Sequence, residues 1–528
     1  MMASHQRNIL FFFAILVIIT VVMRALPGPR TIDDAFITFR YSRNLIEGFG
    51  FVYNYGVATL GTTTPLFAFL MTIIGMIAGG QDYPHYAIWV STLADVGTVI
   101  CLFLIARKLI GHSGIAFFSA VLWAISPMSV TFAIGGMETS VNIFWMVATI
   151  WLFVQRDIPS SDSEIKPAKL SVYRQDIGIG ICIALGLLTR VDAVLWIGPL
   201  LLYQLIERWL KTRRIPIVTW LTIVLVLLPY VLWATASFGS PIPNSVTAKR
   251  DAYVLAPFSA LGQLITTYAN ATFVFDAFGS LATMVCSIIF LLLSAFAILF
   301  AIHRVPRIIP FMMYPWIYIL AFGILNPLIF RWYMAPPLPA LIMSIMIGTW
   351  AVFSGLKKLN QEKLAYGLTI ATGILWVFTS LSGWTLHPDH GADRPAPLMA
   401  WHAIELLYEG MGRYLHDEIG VSEETRVAAG DIGAVGYFSR ATIIDTVGLV
   451  TPEITAYYPV DPRFVMEGQN YATPPQIIFD YQPDFYVTMD AAILLGIAQQ
   501  TWFQEDYELI LEYPATYYGT AMQLYQRR

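Results

Sequence analysis

The sequence predicts a multi-span α-helical membrane protein of about eleven transmembrane helices, with an extracytoplasmic interfacial helix and a small C-terminal α/β domain. Three observations predict it. Of 528 residues, 57% are hydrophobic and 12% charged, against about a quarter charged in an ordinary soluble domain, and mean hydropathy is +0.63. That composition excludes a soluble globular enzyme, a disordered chain and a nucleic-acid partner. Apolar runs long enough to cross a bilayer recur up to Gly383. Charge is also split. Residues 384–528 hold 20 Asp+Glu against 7 Arg and no Lys, whereas residues 1–383 hold 15 against 24 Lys+Arg. A basic membrane domain, 1–383, and an acidic aqueous domain, 384–528, follow.

The first run, Ile9–Leu26, lacks a small-residue cleavage site and reads as a retained signal anchor. The further spans are Tyr86–Ala106, Ser113–Phe132, Thr139–Val154, Asp176–Leu188, Val191–Ile206, Pro216–Ala236, Leu281–Ile302, Ile308–Leu325, Met334–Phe353 and Leu364–Gly383. Pro65–Ala78 is short and ends in Gly79-Gly80. Leaving it out of the count puts Arg107-Lys108, Arg156 to Arg174, Arg208 to Arg214, Arg304/Arg307 and Lys357 to Lys363 on the N-terminal side, as the positive-inside rule requires. It therefore reads as a helix lying in the outer interface of the plasma membrane or dipping into it, on the side where the C-terminal domain also falls. Cys101, Cys182 and Cys286 lie in apolar runs and form no disulfide framework.

The outer loop 27–85 opens with PGPRTIDDAFITFRYSRNLIEGFGFVYN. Thr31 is suited to cap a helix and Gly48 to end it. Asp33, Arg40 and Asn44 share one face, with Asp34 and Thr38 on the next. One of the two aspartates is explained by a capping box with Thr31. The remaining outer turns bring Glu138 in GGMET, Arg190 and Asp192 in LLTRVDA, Asn244, Lys249 and Arg250 in PNSVTAKR, and Arg331 and Tyr333 in FRWYMAPP. Each alone reads as an anchor to lipid headgroups. Together they bring acids and bases to one leaflet, while the spans hold almost no central charge, which favours a surface site over an ion relay. A lipid-linked phosphate can sit there, met by Arg and Lys. Its ester leaves readily as an anion, whereas a hydroxyl nucleophile needs a carboxylate base. The set suits sugar transfer from a polyprenyl phosphate to a hydroxyl on a glycan, lipid or protein acceptor.

DDAFITFRYSRNLIEGFGFVYN, GGMETS, LLTRVDA, PNSVTAK and FRWYMAPPLP resemble, in order and sidedness, motifs of the GT-C superfamily of polyprenyl-phosphate-sugar-dependent membrane glycosyltransferases. The resemblance runs over most of residues 31–340. It points to the bacterial branch that includes the terminal arabinofuranosyltransferase of mycobacterial arabinan synthesis, and to the protein O-mannosyltransferase/aminoarabinose transferase group. The chain departs at Asn54–Thr64, where the branch often has an acidic stretch, and at Val191, where the turn usually has Pro. The resemblance implies an inverting transferase, of arabinofuranosyl- or mannosyl-type, with a first-loop aspartate as base. Asp33 is favoured because it shares a face with Arg40 and Asn44, and Asp34 is then its orienting partner. Arg190, Lys249 and Arg331 are assigned to the donor phosphate, and Glu138 and Asp192 to orienting those cations or touching sugar. Some members of the superfamily use a divalent metal and many do not, and Asp33-Asp34 are able to hold Mg2+ or Mn2+ with waters. HPDHGAD, with His387, Asp389, His390 and Asp393, is more simply a solvated turn than a metal site.

In the C-terminal domain, AWHAIELLYEGMGRYLHDEIG has helical periodicity. RVAAG, ATIIDTVGLV, DFYVTM and YELILEY read as strands of an α/β unit. AGDIGAVGYFS is not a dinucleotide motif, and its glycines suit packing or a turn. Its tyrosines and tryptophan are able to stack on sugars, although core packing accounts for most of them. A transporter or lipid flippase would show internal repeats and mid-depth polar groups, and a non-enzymatic envelope assembly protein would not depend on Asp33 or Asp34.

Overall fold

The computed structural model describes residues 2–156, 169–253, 255–386, 395–397, 402–516 and 519–528. The HPDHGAD string and Tyr517-Tyr518 fall outside them.

Helices α1 (Met2–Ala25), α2 (Asp33–Ile46), α3 (Pro65–Ala78) and α4 (Tyr83–Ile110) open the chain. The kinked pair α5 (Ser113–Ile125) and α6 (Pro127–Ile134) follows, then α7 (Thr139–Gln155), α8 (Lys169–Thr189), α9 (Val194–Thr212) and α10 (Ile217–Phe238). After them come α11 (Ser245–Asp251), α12 (Ser259–Ala269), α13 (Val274–Arg304), α14 (Ile309–Leu325), the short α15 (Arg331–Met334), α16 (Leu338–Phe353) and α17 (Glu362–Ser382).

Among the described residues seven helices are long and apolar enough to span, or eight if α5 and α6, bent by 46° at Ser126-Pro127, count as one. Pro127 supplies no N–H to continue the ladder, which accounts for the break. The expected count of about eleven is therefore not reached by length and composition. The shortfall lies in α7, α8 and α9. Helix α7 has only 17 residues, and α8 and α9 carry charge at one end, Asp176 in α8 and Glu207, Arg208 and Lys211 in α9. All three nevertheless run between the same two ionic layers. At one end Arg156, Asp176 and Arg208 join at 2.8 and 2.6 Å, next to an Arg307–Glu207 pair at 2.8 Å. At the other end lie Glu138, Arg190 and Asp192.

Helix α3 is 14 residues long, about 21 Å at 1.5 Å per residue, too short for a bilayer core of about 30 Å. Pro65 begins it and Gly79, at φ +99°, ends it. Its Ile73, Met76 and Ile77 are exposed. The capping expectation for α2 is overturned. The N-cap is Ile32, with no side-chain cap, and the Asp33 N–H donates instead to Glu405 Oε1 of the C-terminal domain at 3.1 Å. That domain supplies the acceptor, so Thr31 is not needed. Gly48 has φ +90° just beyond the helix end.

A buried ion pair inside the helical bundle corrects the expectation of almost uncharged spans. Arg24 Nε donates to Asp95 at 2.9 Å, both side chains wholly buried. Ser140 donates to the same carboxylate at 3.1 Å, so the pair ties α1, α4 and α7 together.

Beyond α17, the short strands β1 (Trp384–Leu386) and β2 (Pro395–Pro397) pair antiparallel. The domain proper holds α18 (His402–Arg413), β3 (Arg426–Ala429), α19 (Gly433–Ser439), β4 (Thr442–Asp445), α20 (Pro475–Tyr481), β5 (Phe485–Met489), α21 (Thr501–Asp506), β6 (Tyr507–Pro514) and β7 (Ala521–Arg527). The five-stranded sheet has the order β4-β3-β5-β7-β6. Its β4, β3 and β5 are parallel, and β7 and β6 run antiparallel. Parallel strands need both faces covered, and every residue of β5 is buried. The edge strand β6 is largely exposed.

Candidate active site

The first linker faces two ways. One face of α2 holds the C-terminal domain. Both Asp33 carboxyl oxygens accept backbone N–H groups at the start of α19, from Gly433 at 2.8 Å and Ala434 at 2.7 Å. Arg40, wholly buried, donates to the Gly436 and Ala441 carbonyls at 2.6 and 2.7 Å. Asn54 bonds both ways with the backbone of Ile443, at 2.8 and 2.9 Å, as a neighbouring strand would. The Tyr53 hydroxyl donates to the Ile432 carbonyl. Asn44 is spent locally, on the carbonyls of Val52 and Tyr53. The glycines of AGDIGAVGYFS make this approach feasible. A Cβ at Gly433 would strike the Asp33 carbonyl, and one at Gly436 the Tyr53 hydroxyl.

The adjacent face of α2 is open. Asp33, Asp34 and Ile37 line a cavity of about 250 Å³ between the bundle end and the C-terminal domain, with Lys249, Tyr253, Phe330, Trp332, Glu405, Tyr408, Asp431 and Tyr471 in its wall. Asp34, Ile37, Lys249 and Trp332 also line a smaller hollow of about 40 Å³, whose polar residues include Thr62, Thr64, Glu138, Arg190 and Tyr333. Asp34 and Lys249 thus stand where the two spaces meet. Lys249 Nζ donates to Asp34 Oδ2 at 3.2 Å, with the side chains 21% and 26% exposed, so the pair remains reachable. Helix α11 positions Lys249, and the chain before it is pinned by the Asn244 N–H on the Leu60 carbonyl at 2.9 Å. The ammonium also lies 4.6 Å from the Phe330 ring centroid.

Arg190 is fully engaged. It makes a two-point contact with Asp192 at 2.8 and 3.0 Å and a third bond to Glu138 at 2.6 Å, and its guanidinium stands 4.7 Å from the Tyr333 ring centroid. Arg331 begins α15, half buried beside the cavity residues Phe330 and Trp332, and its side chain is in the wall of neither space. The structure therefore brings Asp34, Lys249, Glu138, Arg190, Asp192 and Tyr333 together. It places Arg40 and Asn44 in domain docking and local backbone support, away from the cavity.

Sequence reasoning missed the contribution of the C-terminal domain. The Tyr408 hydroxyl donates to Asp431 Oδ2 at 2.8 Å, and Asp431 follows β3 at the cavity rim. A carboxylate at 405 beside the buried stripe Ile404, Tyr408 and Met411 was the available signal.

Burial raises Asp33 to about 8, helped by the nearby Asp431 and Asp34 charges and opposed by the Ala434 and Gly433 N–H groups. Burial likewise holds Glu405 well above the usual carboxylate range. For Lys249 burial lowers the value, but Asp34 and Tyr333 outweigh it and the ammonium lies above its ordinary range. Among the described residues no three His, Cys, Asp or Glu side chains converge as metal ligands. In this structure Asp33 accepts from the start of α19 and Asp34 from Lys249.

Residues 62–233 match the family model of dolichyl-phosphate-mannose-protein mannosyltransferases, and residues 399–525 match a domain of unknown function (DUF8728). No curated protein matches the chain. Among solved structures, ArnT from Cupriavidus metallidurans in the apo state is 12% identical, covering 99% of this chain and 98% of that one, with a TM-score of 0.56. The same protein bound to undecaprenyl phosphate gives 12% identity, 98% and 97% coverage and a TM-score of 0.53. The Archaeoglobus fulgidus oligosaccharyltransferase in the apo form is 13% identical, covering 98% of this chain and 74% of that one, at a TM-score of 0.55. The likeness to these structures shows a shared fold over nearly the whole chain, and the mannosyltransferase model matches residues 62–233 within its first half.

Proposed function

We propose that this protein transfers a sugar from a polyprenyl phosphate to a hydroxyl acceptor at the outer face of the plasma membrane, with inversion at the anomeric carbon and with Asp34 as base. The observation that carries the reading is the Asp34–Lys249 pair at the junction of the two spaces, with a partly exposed carboxylate beside an ammonium. The match to a dolichyl-phosphate-mannose-protein mannosyltransferase model and the likeness to an ArnT that binds undecaprenyl phosphate support the donor class.

In the proposed step the acceptor oxygen attacks the anomeric carbon and the bond from that carbon to the phosphate oxygen breaks. The lipid phosphate departs with the electron pair, and the hydroxyl proton passes to Asp34. Lys249 stabilises the charge that develops on the leaving phosphate, as a point charge preorganised by the cavity wall. Arg190 is already neutralised by Glu138 and Asp192, and acts as a positioning residue that holds Tyr333 and Glu138 at the edge of the smaller hollow. Arg331, at the start of α15, lines neither space and is given no part in the step. Asp33 is the anchor of the C-terminal domain. Asp431, Tyr408 and Tyr471 give the larger space a polar, aromatic wall suited to a saccharide acceptor.

The test is transfer of radiolabel from a polyprenyl-phosphate sugar by the full chain in proteoliposomes. The reading expects labelled acceptor and released lipid phosphate in equal amounts. Movement of intact lipid across the bilayer without cleavage would identify a flippase instead.

A further inference from the structure

A second cleft, of about 450 Å³, lies on the other side of α2, between the glycine end of α3 and the C-terminal domain. Its charged wall consists of Arg43, Arg413, Arg440 and His416, against the carboxylates Glu47 and Asp417. Arg413 is paired with Glu409 at 2.8 Å and Arg440 with Glu47 at 3.3 Å, and both arginines are well exposed.

Arg43 differs from them. It is only 6% exposed. Its Nη1 donates to the Tyr437 carbonyl at 2.8 Å and its guanidinium lies 4.4 Å from the Tyr437 ring centroid. Its Nε and Nη2 have no hydrogen-bond partner among the described residues, and no carboxylate there stands within ion-pair distance. A buried guanidinium with two unused donors is costly, and an oxyanion that accepts from both would relieve that cost. Burial, together with Arg40 and Arg440, pushes Arg43 below the ordinary guanidinium value, the condition of a cation short of an anion.

The cleft's location indicates the source of the anion. Gly79 and Gly80 form its floor and end helix α3, whose Ile73, Met76 and Ile77 are exposed. A short helix with an outward apolar face settles at the level of the headgroups, which puts lipid phosphates at the mouth of the cleft. We propose that this cleft binds the phosphate of an anionic lipid headgroup, with Arg43 donating from the buried side and Arg413 and Arg440 from the open side. The site is separate from the Asp34–Lys249 cavity and does not depend on the transfer reaction.

The experiment is a binding titration of the detergent-solubilised full chain with short-chain phosphatidylglycerol, short-chain diacylglycerol and inorganic phosphate. Native mass spectrometry counts the adducts. The expected result is saturable phosphatidylglycerol binding, none for diacylglycerol, and inorganic phosphate weaker by about tenfold or more. Arg413→Gln combined with Arg440→Gln, which leaves the buried contacts intact, is expected to weaken phosphatidylglycerol about tenfold, and Arg43→Met further. Binding that survives both variants unchanged, or equal binding of diacylglycerol, would overturn the site. Inorganic phosphate binding as tightly as phosphatidylglycerol would overturn the lipid source.

Discussion

Replacing Asp34 by Asn removes the proposed base while leaving the fold in place. The structure sets both magnitudes. Among the described residues Asp34 makes one side-chain hydrogen bond, with Lys249 at 3.2 Å, and both partners are a fifth or more exposed. Such a pair contributes at most about 1 kcal/mol to stability, so Asp34→Asn should melt close to the parent. Loss of a general base costs about 10²–10⁴-fold in rate, or about 3–5 kcal/mol of transition-state stabilisation at 1.36 kcal/mol per decade. Asp33→Asn behaves differently. Asn retains one acceptor for the Gly433 and Ala434 N–H groups and turns an NH2 toward the other, at a cost of about 1–3 kcal/mol. That cost falls on docking of the C-terminal domain. The assay is initial rate of label transfer in proteoliposomes, paired with thermal unfolding of the same samples. Near-parental turnover in Asp34→Asn, with Asp33→Asn fully folded and inactive, would refute the assignment and return the base role to Asp33.

Other consequences are equally direct. Asp33 is raised to about 8, so it favours the folded state most below about pH 4 and that contribution is lost as pH climbs toward 8; Glu405 is raised too and acts in the same direction. The thermal midpoint should fall over this window, and Asp33→Asn with Glu405→Gln should flatten the slope. An unchanged slope would remove the cause. Arg24→Met leaves Asp95 buried without its cation and should cost about 3–5 kcal/mol, with Arg24→Met/Asp95→Leu milder than the single change. Equal melting of the two variants would refute the coupling. Gly436→Ala drives a methyl into the Tyr53 hydroxyl and should loosen the domain by about 1–3 kcal/mol. Limited proteolysis should then release the C-terminal domain sooner than in the parent.

Much of the fold was legible because hydropathy and loop charge are properties of local sequence. Spans, the short Pro65–Ala78 helix and several strands of the C-terminal unit appear in the run lengths and periodicities. The count of spans was less so, because α7, α8 and α9 are short or charged at one end, where Asp176, Arg156 and Arg208 neutralise one another across three helices. That pairing is long-range, as is Arg24–Asp95. The strand β7 was missed, since AMQLYQR carries little β-branched character and is held by β5 and β6 on either side.

At the site, the outer turns named residues that the structure brings together, but helix faces alone did not show their partners. Shared helix face grouped Asp33 with Arg40 and Asn44, and two of these, Asp33 and Arg40, do share a task. The task is docking of α19, which a helical wheel cannot reveal because the partner lies some 400 residues away. Asp34, one residue on and about 100° round the helix, also reaches the smaller hollow and pairs with Lys249. The part played by Asp431 and Tyr408 depends on how the acidic domain folds back over the bundle, and the glycines at 433 and 436 were its local trace.

A structure of the full chain with a polyprenyl phosphate bound measures the central claim most directly. The proposed function places the phosphate within about 4 Å of Lys249 Nζ, with Asp34 facing the acceptor side of the larger space. A phosphate seated away from Lys249, with the Asp34–Lys249 pair still closed, would contradict it.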